Sequence, residues 1–147
     1  MFSRSCEYGL QAMIYISLHS NSKDMVTLEQ IAKSQQIPQP FLSKILQRLV
    51  KHKLIGSRKG RNGGFYFLKP PEKITLLEIV KTINGTDLLD GCVLGFSNCS
   101  DRNPCPVYKE FKSVKDRIKQ ILISKSLQTL SDDILAQSGQ TRNEVAR

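Results

Sequence analysis

The chain lacks any acidic residue between Gln30 and Pro71, although nine lysines and arginines lie in that stretch. The rest of the 147 residues holds thirteen basic and thirteen acidic side chains, so the net charge of +9 comes entirely from this acid-free window. A solvated surface would ordinarily mix both signs of charge. The one-sided composition therefore predicts a polyanion as the partner of the window.

Long apolar runs are missing as well. None approaches the roughly 20 residues of a membrane-spanning helix. The first 18 residues carry Arg4, Glu7 and Gln11 where a signal peptide needs its apolar stretch. We therefore expect a cytoplasmic protein without a membrane partner, whose cysteines stay reduced. The apolar fraction of 39% supports a real core in a single domain, or in one small domain with an accessory arm.

Two short helices are predicted inside and just before the acid-free window. Thr27 to Gln30 has the Thr-x-x-Gln form of a capping box, which predicts a helix from Leu28 to about Gln35. Pro40 suits the first position of a second helix, Phe41 to Lys51, with one apolar face and one basic face. Two such helices joined by a tight turn predict a helix-turn-helix.

A β-hairpin is predicted directly after these helices. One strand begins at Leu54, the return strand covers Phe65 to Leu68, and the tip carries three bases and three glycines. A flexible surface hairpin would explain the glycines but not the charge. We therefore interpret the hairpin as the wing of a winged helix, whose Arg58, Lys59 and Arg61 reach phosphates or a minor groove.

Three of the four cysteines lie close together after a further predicted helix that ends at Gly85. We call Cys92, Cys99 and Cys105 the cysteine trio; six and five residues separate them. Gly95 and the nearby prolines predict a loop. The spacing does not fit a zinc ribbon, which usually opens with Cys-x-x-Cys, whereas iron–sulfur thiolates are often spaced more widely. An ordinary free-thiol or disulfide loop is the alternative, but the local density of cysteines favours a bound metal or cluster.

A long periodic segment follows the loop. Its apolar residues, in steps of three and four, are Phe111, Val114, Ile118, Ile121 and Leu122, followed by Leu127 and Leu130. A seam this long, beside a small domain, predicts a dimerisation helix. A helix that packs only within its own chain is the alternative. Residues 138–147 are polar and predicted to form a flexible tail.

The order of these parts resembles the Rrf2 family of bacterial winged-helix regulators, over about residues 1–135. The resemblance rests on the first helix (Tyr8 to Met13), the recognition helix (Phe41 to Leu46), the wing (Arg58 to Phe65) and the three-cysteine loop before a long helix. It implies a mainly α fold with a small β-hairpin, namely a winged helix-turn-helix domain plus a long dimerisation helix. It also implies a homodimer that binds a double-stranded DNA operator without catalysing a reaction.

The same resemblance implies an iron–sulfur cluster held by the cysteine trio, with two or four irons. The iron–sulfur regulators of the family carry a histidine three residues after the last cysteine, and this chain has Tyr108 there. The nitric-oxide-sensing type uses a carboxylate from the first helix of the partner subunit. Glu7 stands at the matching place, so we expect it to be the fourth ligand, with Cys6 as the second candidate.

The expected organisation is a winged helix-turn-helix domain at 1–85, a cluster-binding loop at 86–108, a dimerisation helix and C-terminal helix at 109–137, and the tail. The expected function is a DNA-binding repressor that senses redox state, nitric oxide or iron–sulfur status. A zinc-stabilised or metal-free thiol-based regulator is the alternative. The residues expected to contact DNA are Thr27, Gln39, Pro40, Phe41, Ser43, Lys44, Gln47, Arg48, Arg58, Lys59, Arg61 and Asn62.

Overall fold

The computed structural model describes residues 2–20 and 24–139. Over these residues it contains seven α-helices and one two-stranded sheet, besides a short 3-10 helix at Pro71–Lys73, in agreement with the predicted fold class. In chain order they are α1 (Arg4–His19), α2 (Leu28–Gln35), α3 (Gln39–Lys51), β1 (Ile55–Arg58), β2 (Gly64–Phe67), α4 (Leu76–Asn84), α5 (Asp87–Asp90), α6 (Tyr108–Ser124) and α7 (Leu127–Ser138).

Side-chain caps set the starts of the first two helices. Apolar periodicity predicts the first helix from Glu7 to Leu18. Ser3 accepts a hydrogen bond from the Cys6 N–H at 3.1 Å, so α1 begins at Arg4, three residues before Glu7. In α2 the predicted capping box is complete, because Thr27 and Gln30 exchange bonds of 2.9 and 3.2 Å. Both caps satisfy amides that the helix itself leaves without a partner.

The centre of the molecule is α1, which packs against α2, α3, α4 and α7. Its Met13 and Ile16 are fully buried. Gly9 lies where α1 meets α3 and α4. A Cβ atom at that position would overlap Ile83 Cδ1 and lie 3.2 Å from Ile45 Cγ2. The missing side chain thus allows three helices to approach closely.

The wing is a tight antiparallel hairpin. Ile55 pairs with Phe67 at its base and Arg58 with Gly64 near its tip. An isolated bridge from Phe65 to Val26 attaches the wing to the segment before α2. At the tip, a Cβ on Gly63 would overlap the carbonyl oxygen of Arg58, so this turn requires glycine.

The periodic segment after the cysteine loop forms two helices, α6 and α7. Lys125 adopts an extended conformation between α6 and α7, and α7 folds back onto α1. The apolar residues of the predicted seam therefore fall into two groups, one buried and one exposed. Leu122 and Leu127 are buried in the core of their own chain, whereas Val114 and Ile121 are 55% and 51% exposed.

Two predicted loops fall partly outside the described residues. The polar loop predicted around residues 21–25 is described only from Asp24 onward. Of the tail predicted for 138–147, the structure describes Ser138, which ends α7, and Gly139, which caps it; the remainder lies outside the described residues. Within the described ranges, no helix is long and apolar enough to cross a membrane.

Replacing Gly9 with alanine is expected to destabilise the fold. In an unobstructed helix interior, glycine to alanine raises the free energy of unfolding by roughly 0.5–1 kcal/mol. Here the added methyl would overlap Ile83, so we expect the free energy of unfolding to fall by about 1–3 kcal/mol. Chemical denaturation would measure the free energy of unfolding. The control is the Ile83→Val variant, which lacks the obstructing methyl. Gly9→Ala should lower the free energy of unfolding clearly less in that variant than in the wild type. Equal costs in both backgrounds would contradict the packing argument.

Candidate functional site

The acid-free window folds into one exposed basic surface composed of α3 and the wing. Helix α3 buries Leu42, Ile45, Leu46 and Leu49, which directs its other side chains to solvent. Most of the residues predicted to contact DNA are exposed there, namely Gln39, Pro40, Phe41, Lys44, Gln47, Arg48, Arg58, Lys59, Arg61 and Asn62. Phe41 is 61% exposed, which is unusual for a large apolar side chain outside an interface.

Four of the predicted DNA contacts have partners inside the chain. Thr27 is half-buried and its hydroxyl caps α2. The half-buried Ser43 accepts a long hydrogen bond of 3.4 Å from Gln47. Arg48 donates from Nη1 to the carbonyl oxygen of Ile83 in the last turn of α4, at 2.6 Å. The remaining basic groups of α3 and the wing tip are exposed to solvent.

The second feature is the loop between α5 and α6, where the fold brings the cysteine trio together. Its three sulfur atoms all lie within 4.8 Å of one another. The Cys92 and Cys105 sulfurs are 3.9 Å apart, far beyond the about 2.05 Å of a disulfide bond, and all three cysteines are free thiols. Turns bonded through the carbonyls of Cys92, Phe96 and Cys105 bend the chain at each cysteine.

Helix α6 holds this loop at its start and in its middle. Lys119 bonds the Asp90 carboxylate at 2.5 Å and Lys115 donates to the Gly91 carbonyl oxygen, which fixes the segment just before Cys92. Between Cys99 and Cys105, the Asp101 carboxylate is bonded by Lys112 at 2.9 Å. These three lysines and the trio line one cavity of about 280 Å³. The lysine charges would offset the negative charge of thiolate ligands.

The thiols differ in acidity. Partial burial raises the pKa of Cys92, but hydrogen bonds from the Phe96 and Leu94 amides and from the neighbouring thiols lower it to about 7. At Cys99, a bond from the Cys105 amide lowers the pKa, while burial and the neighbouring thiols raise it on balance. Three thiolates this close repel one another unless a cation lies between them. The donor set therefore fits a thiophilic metal or an iron–sulfur cluster.

Tyr108, which stands where the resemblance leads us to expect a histidine, is a poor ligand. Its hydroxyl donates to Asp101 at 3.0 Å. Burial and this hydrogen bond raise the pKa of Tyr108, which disfavours the phenolate that a metal requires. Lys112 and Tyr108 in turn lower the pKa of Asp101 by bonding its carboxylate.

The two candidates for a fourth ligand occupy different environments on α1. Cys6 is fully buried, and burial together with the neighbouring Glu7 raises its pKa to about 11. The Glu7 side chain is 43% exposed and pairs with Arg4 at 3.3 Å. Among the described residues, the trio is the one group of metal-ligating side chains this compact, and Glu7 does not join it within its own subunit.

Comparison with known proteins assigns the chain to a family. The model of the Rrf2 family, described as iron-dependent transcriptional regulators, matches residues 2–133. The chain belongs to the Rrf2 family. It is therefore a transcriptional regulator and not an enzyme, as the sequence predicts.

Individual relatives agree with this assignment. An HTH-type transcriptional regulator of Aquifex aeolicus is 33% identical over 132 residues, which cover 88% of this chain and 90% of that protein. The regulator IscR of Photorhabdus laumondii is 28% identical over 142 residues, with 95% and 85% covered. The structure of T. potens IscR matches with a TM-score of 0.74 at 24% identity, over 96% of this chain and 91% of that one, and this likeness shows the fold.

Sequence reasoning missed the lysines that hold the cysteine loop of this Rrf2-family regulator. Lys112, Lys115 and Lys119 follow one another in steps of three and four, so they share one face of α6. That spacing was the available signal. Their partners lie 11 to 29 residues away along the chain, and no local pattern identifies contacts at that separation.

The rate of alkylation should distinguish the thiols of the cysteine loop from the buried thiol of Cys6. In iron-free protein, the rate at which iodoacetamide modifies Cys92 should rise as the pH passes through about 7, because the thiolate is the reactive form. Cys6 should stay unmodified until the protein unfolds, since it is buried and its pKa is near 11. Peptide mapping by mass spectrometry measures the extent of modification at Cys92 and at Cys6, with Cys92→Ser as the control. Labelling of native Cys6 as fast as Cys92 would contradict the structure.

Proposed function

We propose that this Rrf2-family regulator is a homodimeric repressor that binds an operator in double-stranded DNA and senses redox state, nitric oxide or iron–sulfur supply. The sensing group would be an iron–sulfur cluster held by the cysteine trio. The convergence of three free thiols in a loop beside α6 carries the proposal. A regulator of transcription would act in the cytoplasm of a bacterial cell.

The basic surface supports DNA binding by α3 and the wing. Lys44, Arg58, Lys59 and Arg61 would bind phosphates and hold the protein in register on the duplex. The groups that would reach base edges or the sugar-phosphate backbone beside them are Thr27, Gln39, Pro40, Phe41, Ser43, Gln47 and Asn62. The wing tip can approach the backbone or the minor groove closely because glycines form its turn.

The apolar side chains that α6 leaves exposed support homodimerisation. Phe111, Val114 and Ile121 are 42–55% exposed and recur in steps of three and seven, so they share one face of the helix. An unpartnered apolar face of this kind fits a second copy of the same helix. A two-fold axis along α6 would also give the two recognition helices the symmetry of a palindromic operator.

When bound, the cluster would supply a redox- and nitric-oxide-reactive iron centre with a potential set by its ligands and surroundings. The chain's own residues have separate tasks. The trio would donate three thiolates, and the α6 lysines hold the loop and offset its negative charge. Glu7 would complete the site from the partner subunit, because its carboxylate is half-exposed, whereas the Cys6 thiol is buried.

A regulator without iron is the second candidate. The 3.9 Å separation of the Cys92 and Cys105 sulfurs would also suit a thiol-based sensor, and three thiolates could hold a structural zinc ion together with a fourth ligand. Anaerobic purification followed by visible absorbance and iron, sulfide and zinc analysis decides among the three. Iron with sulfide and visible colour supports the cluster, colourless zinc protein supports the structural site, and metal-free protein supports the thiol sensor.

Loss of one wing charge should weaken DNA binding in a salt-dependent way. Each phosphate contact contributes about 0.9 to the slope of log K against log salt. Arg58→Ala, Lys59→Ala and Arg61→Ala should each lower affinity and reduce that slope by about this amount, as measured by fluorescence anisotropy with a selected operator duplex. Lys109→Ala on α6 is the charge-matched control and should leave the slope unchanged. If all three slopes were unchanged, the wing would not be part of the surface that contacts DNA.

A charge in the exposed face of α6 should break the dimer. Ile121→Asp is preferable to Ile118→Asp, because Ile118 also packs against the core of its own chain. Light scattering should give monomer mass for Ile121→Asp and dimer mass for Gln120→Asp, whose exposed side chain points away from that face. Normal dimer mass for Ile121→Asp would place the interface elsewhere.

The cluster ligands can be assigned by substitution and then by subunit mixing. Changing any residue of the trio to alanine should abolish the visible absorbance of anaerobic protein. Glu7→Ala should leave a labile or spectrally shifted cluster, while Tyr108→Phe should change little. If only Cys6→Ala disturbs the cluster, the carboxylate assignment is wrong.

Mixed dimers test whether Glu7 acts across the interface. A heterodimer of a Glu7→Ala subunit and a Cys99→Ala subunit places both lesions at one site if ligation crosses between subunits. One intact cluster per heterodimer is therefore the expected iron content. Two damaged sites would mean that Glu7 binds within its own subunit.

A further inference from the structure

Arg48 differs from the other exposed bases of the acid-free window. Its guanidinium extends from the recognition helix α3 to the Ile83 carbonyl oxygen at 2.6 Å. The last carbonyls of a helix have no partner within the helix and carry its negative end charge. Arg48 satisfies one of them with a charge-assisted bond. A guanidinium engaged in this way has less freedom to bind a phosphate.

The end of α4 that Arg48 contacts is a junction of three helices. Ser3, the cap of α1, donates to the Asn84 side chain at 2.5 Å. Gly9 brings α1 against Ile83, one residue before Asn84. The carbonyl that Arg48 binds therefore belongs to a residue packed against the helix that carries Glu7.

The rest of α4 contacts two other elements on which the proposed function depends, the wing and α6. Glu78 binds Lys69, just after the wing, with both carboxylate oxygens at 2.8 Å. At its beginning, the Leu76 N–H bonds the Lys125 carbonyl at 3.1 Å, in the turn that ends α6. Helix α4 thus has direct contacts with the recognition helix, the base of the wing and the end of the proposed dimerisation helix.

The cysteine loop begins where α4 ends. Gly85 caps α4, and only the short helix α5 and its flanking residues Thr86 and Gly91 separate this cap from Cys92. Lys119 and Lys115 fix Asp90 and Gly91 to α6. A change at Cys92 therefore has a short, bonded route to the Ile83 carbonyl, and Arg48 is the side chain that connects this carbonyl with α3.

We propose that Arg48 is a positioning residue, which fastens the recognition helix to the C-terminal end of α4 and so couples the state of the cysteine loop to DNA affinity. The proposal rests on the proposed function, because it concerns how that regulator would be switched. It assigns Arg48 an internal role in place of the phosphate contact expected from its charge. Coupling of this kind requires the contact to differ between the loaded and iron-free states.

The test compares Arg48→Met with Lys44→Met in the full-length protein. Both changes remove one positive charge from the exposed side of α3, but Arg48 is the one of the two that hydrogen-bonds the Ile83 carbonyl of α4. The DNA probe is a duplex selected by the wild-type protein from a random-sequence pool. Affinity is measured against salt concentration for cluster-loaded and iron-free protein, and amide hydrogen exchange is measured on free, iron-free protein.

For Lys44→Met, the log–log salt slope should fall by about 0.9 with amide exchange unchanged. For Arg48→Met, the slope should stay at the wild-type value, while exchange quickens in residues 83–91. The ratio of loaded to iron-free affinity, typically about 5–150-fold in coupled systems, should fall severalfold toward one. Arg48→Lys keeps a donor of similar reach and should restore both the exchange protection and the affinity ratio.

Two outcomes would overturn the proposal. A fall of about 0.9 in the slope of Arg48→Met, with unchanged exchange, would make Arg48 an ordinary phosphate contact. Faster exchange with an unchanged affinity ratio would make the contact purely structural. Failure of the proposed function is distinguishable from both, because the pool would then yield no duplex bound by the wild type, while the exchange measurement would still report on the Arg48 contact.

Discussion

The close approach of α1 to α4 is the constraint on which the rest of the structure depends. It is possible only because position 9 has no side chain, which lets Ile83 fill the space between the helices. Helix α1 then contacts α2, α3 and α7 as well, so one helix organises the core. The N-terminal turn of α1, which presents Glu7, and the end of α4, which leads to the cysteine loop, are held together by the same packing.

Charge is divided between the two functional regions. The surface of α3 and the wing carries bases without acids, which suits a polyanion. Around the cysteine loop both signs occur, and Asp90 and Asp101 are each bonded to a lysine of α6. Another face of α6 exposes the apolar side chains of Phe111, Val114 and Ile121. A single helix thus supports the loop on one side and, in the proposed dimer, would contact its partner on another.

Much of the architecture could be predicted because local rules decide it. The Thr27 capping box, the wing glycines and the stop at Gly85 each depend on a few neighbouring residues. The start of α1 was predicted three residues late, since Ser3 lies outside the apolar periodicity. The apolar seam was predicted as one dimerisation surface, yet part of it is buried in the core of its own chain. Periodicity reports that a face is apolar, but not what covers it.

The residues by themselves determined the helix-turn-helix, the acid-free window and the presence of three thiols in one loop, because propensity, charge and spacing are properties of short segments. Tertiary structure alone decided that the three sulfurs lie within 4.8 Å of one another and that α6 lysines hold the loop. It likewise decided that Arg48 turns to the Ile83 carbonyl. The physical reason is the same in each case: these contacts join side chains far apart in the chain, and their formation depends on how the helices pack.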